Sequence, residues 1–382
     1  MNFIKRCWAE ISVDNLLSNL NEIKNITASE VICVVKSNAY GHGDLEVVSV
    51  LEKAGVRFFA VASMTEALRL RNAGCTAEIL LLGGCLDDCF SYAVANNITL
   101  ALYDLDQAKR MSDFAKLSGK KIKTHIKLNT GMSRIGFECF TQKQCENTAQ
   151  SIKEISGYTG VELCGAFTHF CESDEKDGKT FTALQYSKLK TVRDLVEKSG
   201  VNIPLWHAAN SGAIANYNEY HLDLVRAGIV LYGVYSGEGY SDSFKPVLSL
   251  KSVITQIREI DKGVPVSYGR TFVSDKKMTL ATISIGYGDG YPRSLSSKGR
   301  VVINGKFASI VGRVCMDQTI VDVTDIDCKV GDTVTVIGDG VTADEIASID
   351  GTINYEILCR LSSRIPRVYV KNGEYKSITE YI

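Results

Sequence analysis

Residues 31–43 read VICVVKSNAYGHG: a short β-branched apolar run closes on a lysine, Lys36, and breaks into a polar, glycine-containing stretch. Runs of the same kind recur as FFAVAS from Phe58, EILLLG from Glu78, ITLALY from Ile98, IKTHIKL from Ile122, LCGAFTH from Leu163, PLWHAA from Pro204 and LDLVRAGIVLYG from Leu222. Between them lie segments of helical period, such as 64–73, 104–117 and 180–198, long enough to serve as crossover helices. Eight strand–helix units before about residue 235 predict an α/β fold, a closed parallel (β/α)8 barrel of the TIM type.

Beyond about residue 240 the period changes. KPVLSLKSVITQIREI, MTLATISIGYGDG, GRVVINGKFASIVGRVCMD and GDTVTVIGDG alternate with period two and are punctuated by Asn-Gly, Asp-Gly and Gly turns. The expectation is two domains: residues 1–240 as the barrel and residues 241–382 as a mostly antiparallel β domain.

Composition narrows the function classes. A chain of 382 residues, 45% hydrophobic and 23% charged, with 5 Pro, is that of an ordinary folded protein. A net charge of -1 leaves no basic stripe for a phosphate backbone, so no nucleic-acid partner is expected. The 12 cysteines are scattered, without a CxxC pair or a histidine at ligand spacing, so neither a metal site nor a disulfide framework is expected. MNFIKRCWAEI lacks the apolar core of a signal peptide, and no stretch reaches the ~18 apolar residues of a membrane span; a cytoplasmic location away from membranes is expected.

In a parallel barrel, functional groups project from the C-terminal ends of the strands. Lys36 stands at such an end, although a lysine closing an apolar strand is by itself commonly a solvated cap. HIKLNTGMSRIG follows the fifth strand, THF the sixth and HAANSGA the seventh, while VRAGI lies in the eighth, each with polar groups where the mouth would be. The glycines near Ser211 and Gly228 are suited to cradle a phosphate with backbone N–H groups; plain turn chemistry explains them equally well. A lysine at one side and a phosphate nest at the other is the separation that pyridoxal phosphate requires.

VVKSNAYGHG, KLNTGMSRIGF, THF, NSGA, VRAGIVLYG, VSYGRTF, SIGYGDGYPR, GRVCMDQ and LSSRIPR together resemble the alanine racemase family, a group of fold-type III pyridoxal-phosphate enzymes, over residues 31–367. The resemblance implies a barrel followed by a β domain, pyridoxal 5'-phosphate as cofactor, an amino acid as substrate, and a homodimer whose active sites are composite. It makes Lys36 the Schiff-base lysine and the acid/base on one face of the cofactor, and Tyr268, from the partner subunit, the acid/base on the other. Two opposed groups are required because a planar carbanion returns to both enantiomers only when protons reach both faces. His169 and Arg134 would assist the tyrosine, and Arg134 would also hold the substrate carboxylate. Arg226 would face the pyridine nitrogen, which then stays unprotonated because a guanidinium does not yield its proton. Tyr40, Ser211, Gly228 and Ile229 match phosphate contacts, Met316 and Asp317 a segment closing the site from the partner, and Tyr287 the access channel. Lys127 matches a lysine that is often carbamylated to orient the arginine. For Met316 and Tyr287, core packing is the alternative.

Where the family pattern before RxPR carries a tyrosine, this chain has Ser363. That departure is shared with the serine racemases of vancomycin resistance and raises the expectation of a pocket open to serine. Those enzymes also carry an N-terminal membrane domain, which is not seen here, so the chain reads as free-standing or as an excised catalytic part. Alanine racemisation, with serine as a further substrate, is the expected activity. Serine as the main substrate is the first alternative; a cofactor-binding protein without turnover and a fold-type III decarboxylase follow. Two signals are set aside: GYGDG at 286–290 lacks dinucleotide-loop spacing, and CESD at 171–174 follows the sixth strand, whereas the decarboxylases draw their cysteine from the C-terminal domain.

Overall fold

The computed structural model describes residues 3–234 and 243–379. The eight apolar runs all become strands: Glu30–Val34, Phe58–Val61, Glu78–Leu81, Ile98–Leu102, Ile122–Asn129, Val161–Phe167, Leu205–His207 and Leu224–Ala227. Neighbours pair in parallel, and the eighth pairs with the first through Arg226 opposite Ile32, so the barrel closes. The strands are short and almost wholly buried, as expected where helices cover a parallel sheet. Helix starts obey the sequence: Ser63 and Thr141 each cap a helix whose third residue, Glu66 or Gln144, bonds back to the cap.

The second sheet is mostly antiparallel and is organised around one long strand, Leu248–Ile260, which pairs with Thr333–Ile337 and Met278–Ile283. Its other partner is the strand Cys7–Ser12, which also pairs in parallel with Arg367–Lys371. The first strand of the chain therefore lies in the β domain's sheet. Residue 240, the expected boundary, lies outside the described residues. A continuous apolar core runs from the barrel through Ile11 and Leu250 into this sheet, which packs the two parts together. No helix among the described residues is long and apolar enough to cross a membrane.

One local feature differs from the sequence expectation. The first strand stops at Val34, not at Lys36, and the chain then turns through four consecutive residues of positive φ, Ser37 (55°), Asn38 (55°), Ala39 (52°) and Tyr40 (52°). For residues other than glycine this left-handed path costs about 1–2 kcal/mol each. Lys36 stands between the end of the strand and this turn.

Candidate active site

The cleft at the C-terminal mouth gathers residues from six strand ends, Leu82 following the third. Lys36 and Tyr40 come from the turn after the first strand, Lys127 from the fifth strand and Arg134 from the loop beyond it. His169 follows the sixth strand, Ser211 the seventh, and Arg226 lies within the eighth, with Gly228 just after it. Four basic side chains line this space, Lys36, Lys127, Arg134 and Arg226, against the carboxylate of Asp174. Such a balance suits an anionic ligand.

Burial decides the protonation of these groups. Desolvation, helped by Arg134, lowers the Lys36 ammonium from its ordinary value, so its amine is more readily free to act as a nucleophile or base. Lys127 is buried more deeply; desolvation, then Arg226 and Arg134, lower it to about 7. Its Nζ donates to the Leu128 carbonyl at 2.7 Å and lies 5.4 Å from the centre of the Phe167 ring. His169 is held well below its ordinary value by burial and by Arg226, and is neutral.

Arg226 is fixed by its fork of donors. One amino group, Nη1, meets His207 Nδ1 at 2.8 Å; the other, Nη2, donates to the carbonyls of Thr168 at 2.9 Å and Ala208 at 2.8 Å. His207 Nε2 in turn meets His125 Nδ1 at 2.9 Å. Because the guanidinium can only donate, His207 receives at Nδ1 and carries its proton at Nε2, which makes His125 Nδ1 an acceptor. Both histidines are neutral, lowered by burial first. Burial lowers Arg226 as well, to about 9, which is above neutrality and keeps the charge.

The same cleft holds the candidate phosphate cradle. Ser211 Oγ accepts from the N–H groups of Gly228 at 3.1 Å and Val230 at 3.4 Å, which draws the seventh and eighth loops together; Ile229 is buried between them. A Cβ on Gly228 would come within 2.9 Å of the Tyr40 hydroxyl and 3.3 Å of Ser211 Oγ, so the position has no room for a side chain. Tyr40, Ser211 and Gly228 thus form a small polar concavity at one end of the cleft, with Lys36 among its other lining residues. These residues fit pyridoxal phosphate: the Tyr40 and Ser211 hydroxyls beside the side-chain-free Gly228 for its phosphate, an amine for its aldehyde and a fixed cation for its ring nitrogen.

Four predicted residues stand elsewhere. Tyr268, Tyr287, Met316 and Asp317 do not line this cleft; they lie exposed on the β domain, Tyr268 by 68% and Met316 by 53%. They form a connected ledge. Tyr287 and Gly288 donate through their N–H groups to the carbonyls of Cys315 (3.0 Å) and Met316 (2.8 Å), while Ser267 Oγ donates to Arg313 O at 2.6 Å. Core packing, the alternative for Met316 and Tyr287, does not describe their exposure.

Ser363 requires a correction. It is exposed and does not line the cleft, so its small side chain leaves no gap there. A different tyrosine occupies the wall: Tyr355, on the helix Asn354–Cys359, with its ring centre 6.0 Å from that of Tyr40. The expectation of a pocket widened at Ser363 therefore loses its structural basis. Sequence reasoning missed Tyr355 because a tyrosine in NYEIL reads as helix packing, and it missed His125 and His207 because strand histidines carry no mark of facing inward. It also passed over Asp174, whose segment it set aside.

Comparisons with known proteins agree with this geometry. Residues 11–236 match the model of the alanine racemase N-terminal domain and residues 247–369 that of the C-terminal domain. The chain is 46% identical over 388 residues to an alanine racemase of Clostridium perfringens, covering 99% of each. Its fold superposes on that of alanine racemase from Clostridium difficile 630 with a TM-score of 0.95, 41% identity and full coverage of both chains. A further likeness is to alanine racemase from Bartonella henselae with covalently bound pyridoxal phosphate, at a TM-score of 0.86 and 32% identity over 96% of this chain and 99% of that one.

Proposed function

This chain belongs to the alanine racemase family, and from that premise we propose that it interconverts L- and D-alanine with Lys36 and Tyr268 as the two proton-transferring groups. The observation that carries the reading is the cleft itself, in which a desolvated amine, a phosphate cradle and a fixed guanidinium surround one small space. Lys36 would hold pyridoxal phosphate through its amine, and the chemistry the cofactor would supply there is an electron sink that makes an α-proton removable.

The residues divide the remaining work. Tyr40, Ser211, Gly228 and Ile229 would hold the phosphate end. Arg226, kept in place by His207 and by the Thr168 and Ala208 carbonyls, would hold the ring nitrogen without protonating it. Lys36 moves the α-proton on one face. Tyr268 is its proposed counterpart on the other face: the exposed ledge bearing Tyr268, Met316 and Asp317 is suited to cover the cleft of a second copy, with Tyr287 at the access channel. A homodimer then completes each site, and Arg134 receives the substrate carboxylate, assisted by Lys127, with His169 beside it.

Lys127 fits a carbamate. Its amine is lowered to about 7, so it is substantially uncharged at neutral pH, and its strongest electrostatic neighbours are Arg226 and Arg134. Carbon dioxide adds to the free amine only, so occupancy rises as pH climbs through about 7 and falls below it. With isotopically labelled bicarbonate, the protein above that pH is expected to show a carbamate carbon resonance that is lost in Lys127→Ala. Its absence from the native protein would leave Lys127 a plain amine.

Substrate choice follows from Tyr355, which narrows the cleft beside Tyr40. Racemisation of L-alanine and L-serine, followed side by side by chiral chromatography with added pyridoxal phosphate, is expected to favour alanine. Tyr355→Ala should raise the serine-to-alanine ratio by about tenfold, the scale of added room in a pocket, while Ser363→Tyr leaves it unchanged. A ratio moved by Ser363→Tyr and not by Tyr355→Ala would overturn this assignment of the wall.

A further inference from the structure

The turn that carries Lys36 is strained, and strain of this kind persists only where the surroundings over-determine it. Much of the support comes from the far side of the turn. Asn38 Oδ1 accepts the Asp44 N–H at 3.0 Å, Arg367 Nε donates to the Gly41 carbonyl at 3.0 Å, and the Tyr369 hydroxyl donates to His42 O at 3.0 Å. The residue directly after the lysine is tied differently. The backbone N–H of Ser37 donates to Oε1 of Glu66 at 2.7 Å.

Glu66 is the third residue of the helix Met64–Asn72, and its other oxygen has a different task. Oε2 accepts the N–H groups of Ala62 at 2.8 Å and Ser63 at 3.2 Å, while Ser63 Oγ accepts the Glu66 N–H at 3.2 Å. That reciprocal pair is a complete capping box, and it engages only one carboxylate oxygen. The second oxygen reaches out of its own unit to the neighbouring strand–helix unit and fastens the first peptide beyond Lys36. The same carboxylate favours the protonated form of Lys36, opposing burial and Arg134.

We propose that Glu66 is a positioning residue for Lys36: its carboxylate bridges the second barrel loop to the strained turn and sets where the lysine amine sits in the cleft. The inference rests on Lys36 being the cofactor lysine. A helix cap alone would stabilise the fold without touching the lysine, and Ser63→Ala separates the two roles because it breaks the capping box while leaving the Ser37 bond in place.

The experiment compares Ser63→Ala, Glu66→Ala and Glu66→Gln in the full chain. It measures thermal midpoint, affinity of the cofactor-free protein for pyridoxal 5'-phosphate, visible absorbance of the lysine-bound cofactor, and kcat and KM for L-alanine. Ser63→Ala and Glu66→Ala should lower the thermal midpoint alike. Glu66→Ala alone should weaken cofactor affinity and kcat by about tenfold or more, the scale of a misplaced reacting group, with KM little changed. Glu66→Gln, which turns one acceptor into a donor, should show the same separation more mildly and decides the matter if Glu66→Ala does not fold. Equal effects of Ser63 and Glu66 variants on cofactor affinity and kcat, or none from either, would overturn the inference. Retention of the visible absorbance by Lys36→Ala would instead overturn the assignment of the lysine, a distinguishable failure.

Discussion

Lys36→Ala is expected to abolish the visible absorbance of the lysine-bound cofactor and to reduce alanine racemisation by about four orders of magnitude or more, since it removes covalent attachment and one proton-transferring group together. The amine is unusual in its environment: desolvation and Arg134 lower it, while Glu66 and Cys359 oppose that effect. A second buried amine lies in the same cleft, Lys127, itself lowered to about 7. That makes the prediction sharp. If Lys36→Ala kept the absorbance and Lys127→Ala lost it, the cofactor would sit on the fifth strand and the roles of the two lysines would be exchanged. Geometry favours Lys36, because Lys127 Nζ is engaged with the Leu128 carbonyl and lies close to the Phe167 ring, whereas Lys36 stands beyond the end of its strand and lines the cleft.

Tyr268→Phe is expected to lower racemisation by about three orders of magnitude, the middle of the range for a positioned acid/base, while leaving cofactor bound. Within its own chain Tyr268 does not line the cleft and stands 68% exposed, on a turn where Ser267, Gly269 and Arg270 all have positive φ. The proposed composite site is tested by mixing. Lys36→Ala and Tyr268→Phe, each inactive, should regain activity when co-refolded: half of randomly paired dimers are mixed and each has one intact site, so about a quarter of native sites return. Failure to recover any activity from demonstrably mixed dimers would place Tyr268 outside the partner's site.

Much of this was legible in the sequence because barrel strands announce themselves as evenly recurring apolar runs, and the residues after each run must face the mouth. Lys36, Arg134, His169, Ser211, Arg226 and Gly228 were found by that rule and by the family resemblance, and the fold brings them to one cleft. What escaped notice depended on direction and not on identity. Nothing in SNAY marks a left-handed turn, since none of the four is glycine. His125 and His207 look like ordinary strand residues until the barrel closes and joins them to Arg226. Ser363 was misjudged because a motif gives the order of residues and not which side chains reach the cleft; Tyr355, eight positions earlier, does so. The strand Cys7–Ser12 shows the same limit, for its apolar pattern suits either sheet and only pairing assigns it to the second.

The most direct test of the central claim starts the purified protein, with pyridoxal phosphate, separately on L-alanine and on D-alanine and follows both enantiomers by chiral chromatography. The proposed reaction predicts that both mixtures converge on equal amounts of the two enantiomers with total alanine conserved, since mirror-image molecules have equal free energy. Unchanged enantiomers despite bound cofactor would mark a cofactor-binding protein without turnover, and release of carbon dioxide from a basic amino acid in place of racemisation would mark a decarboxylase; either result contradicts the account.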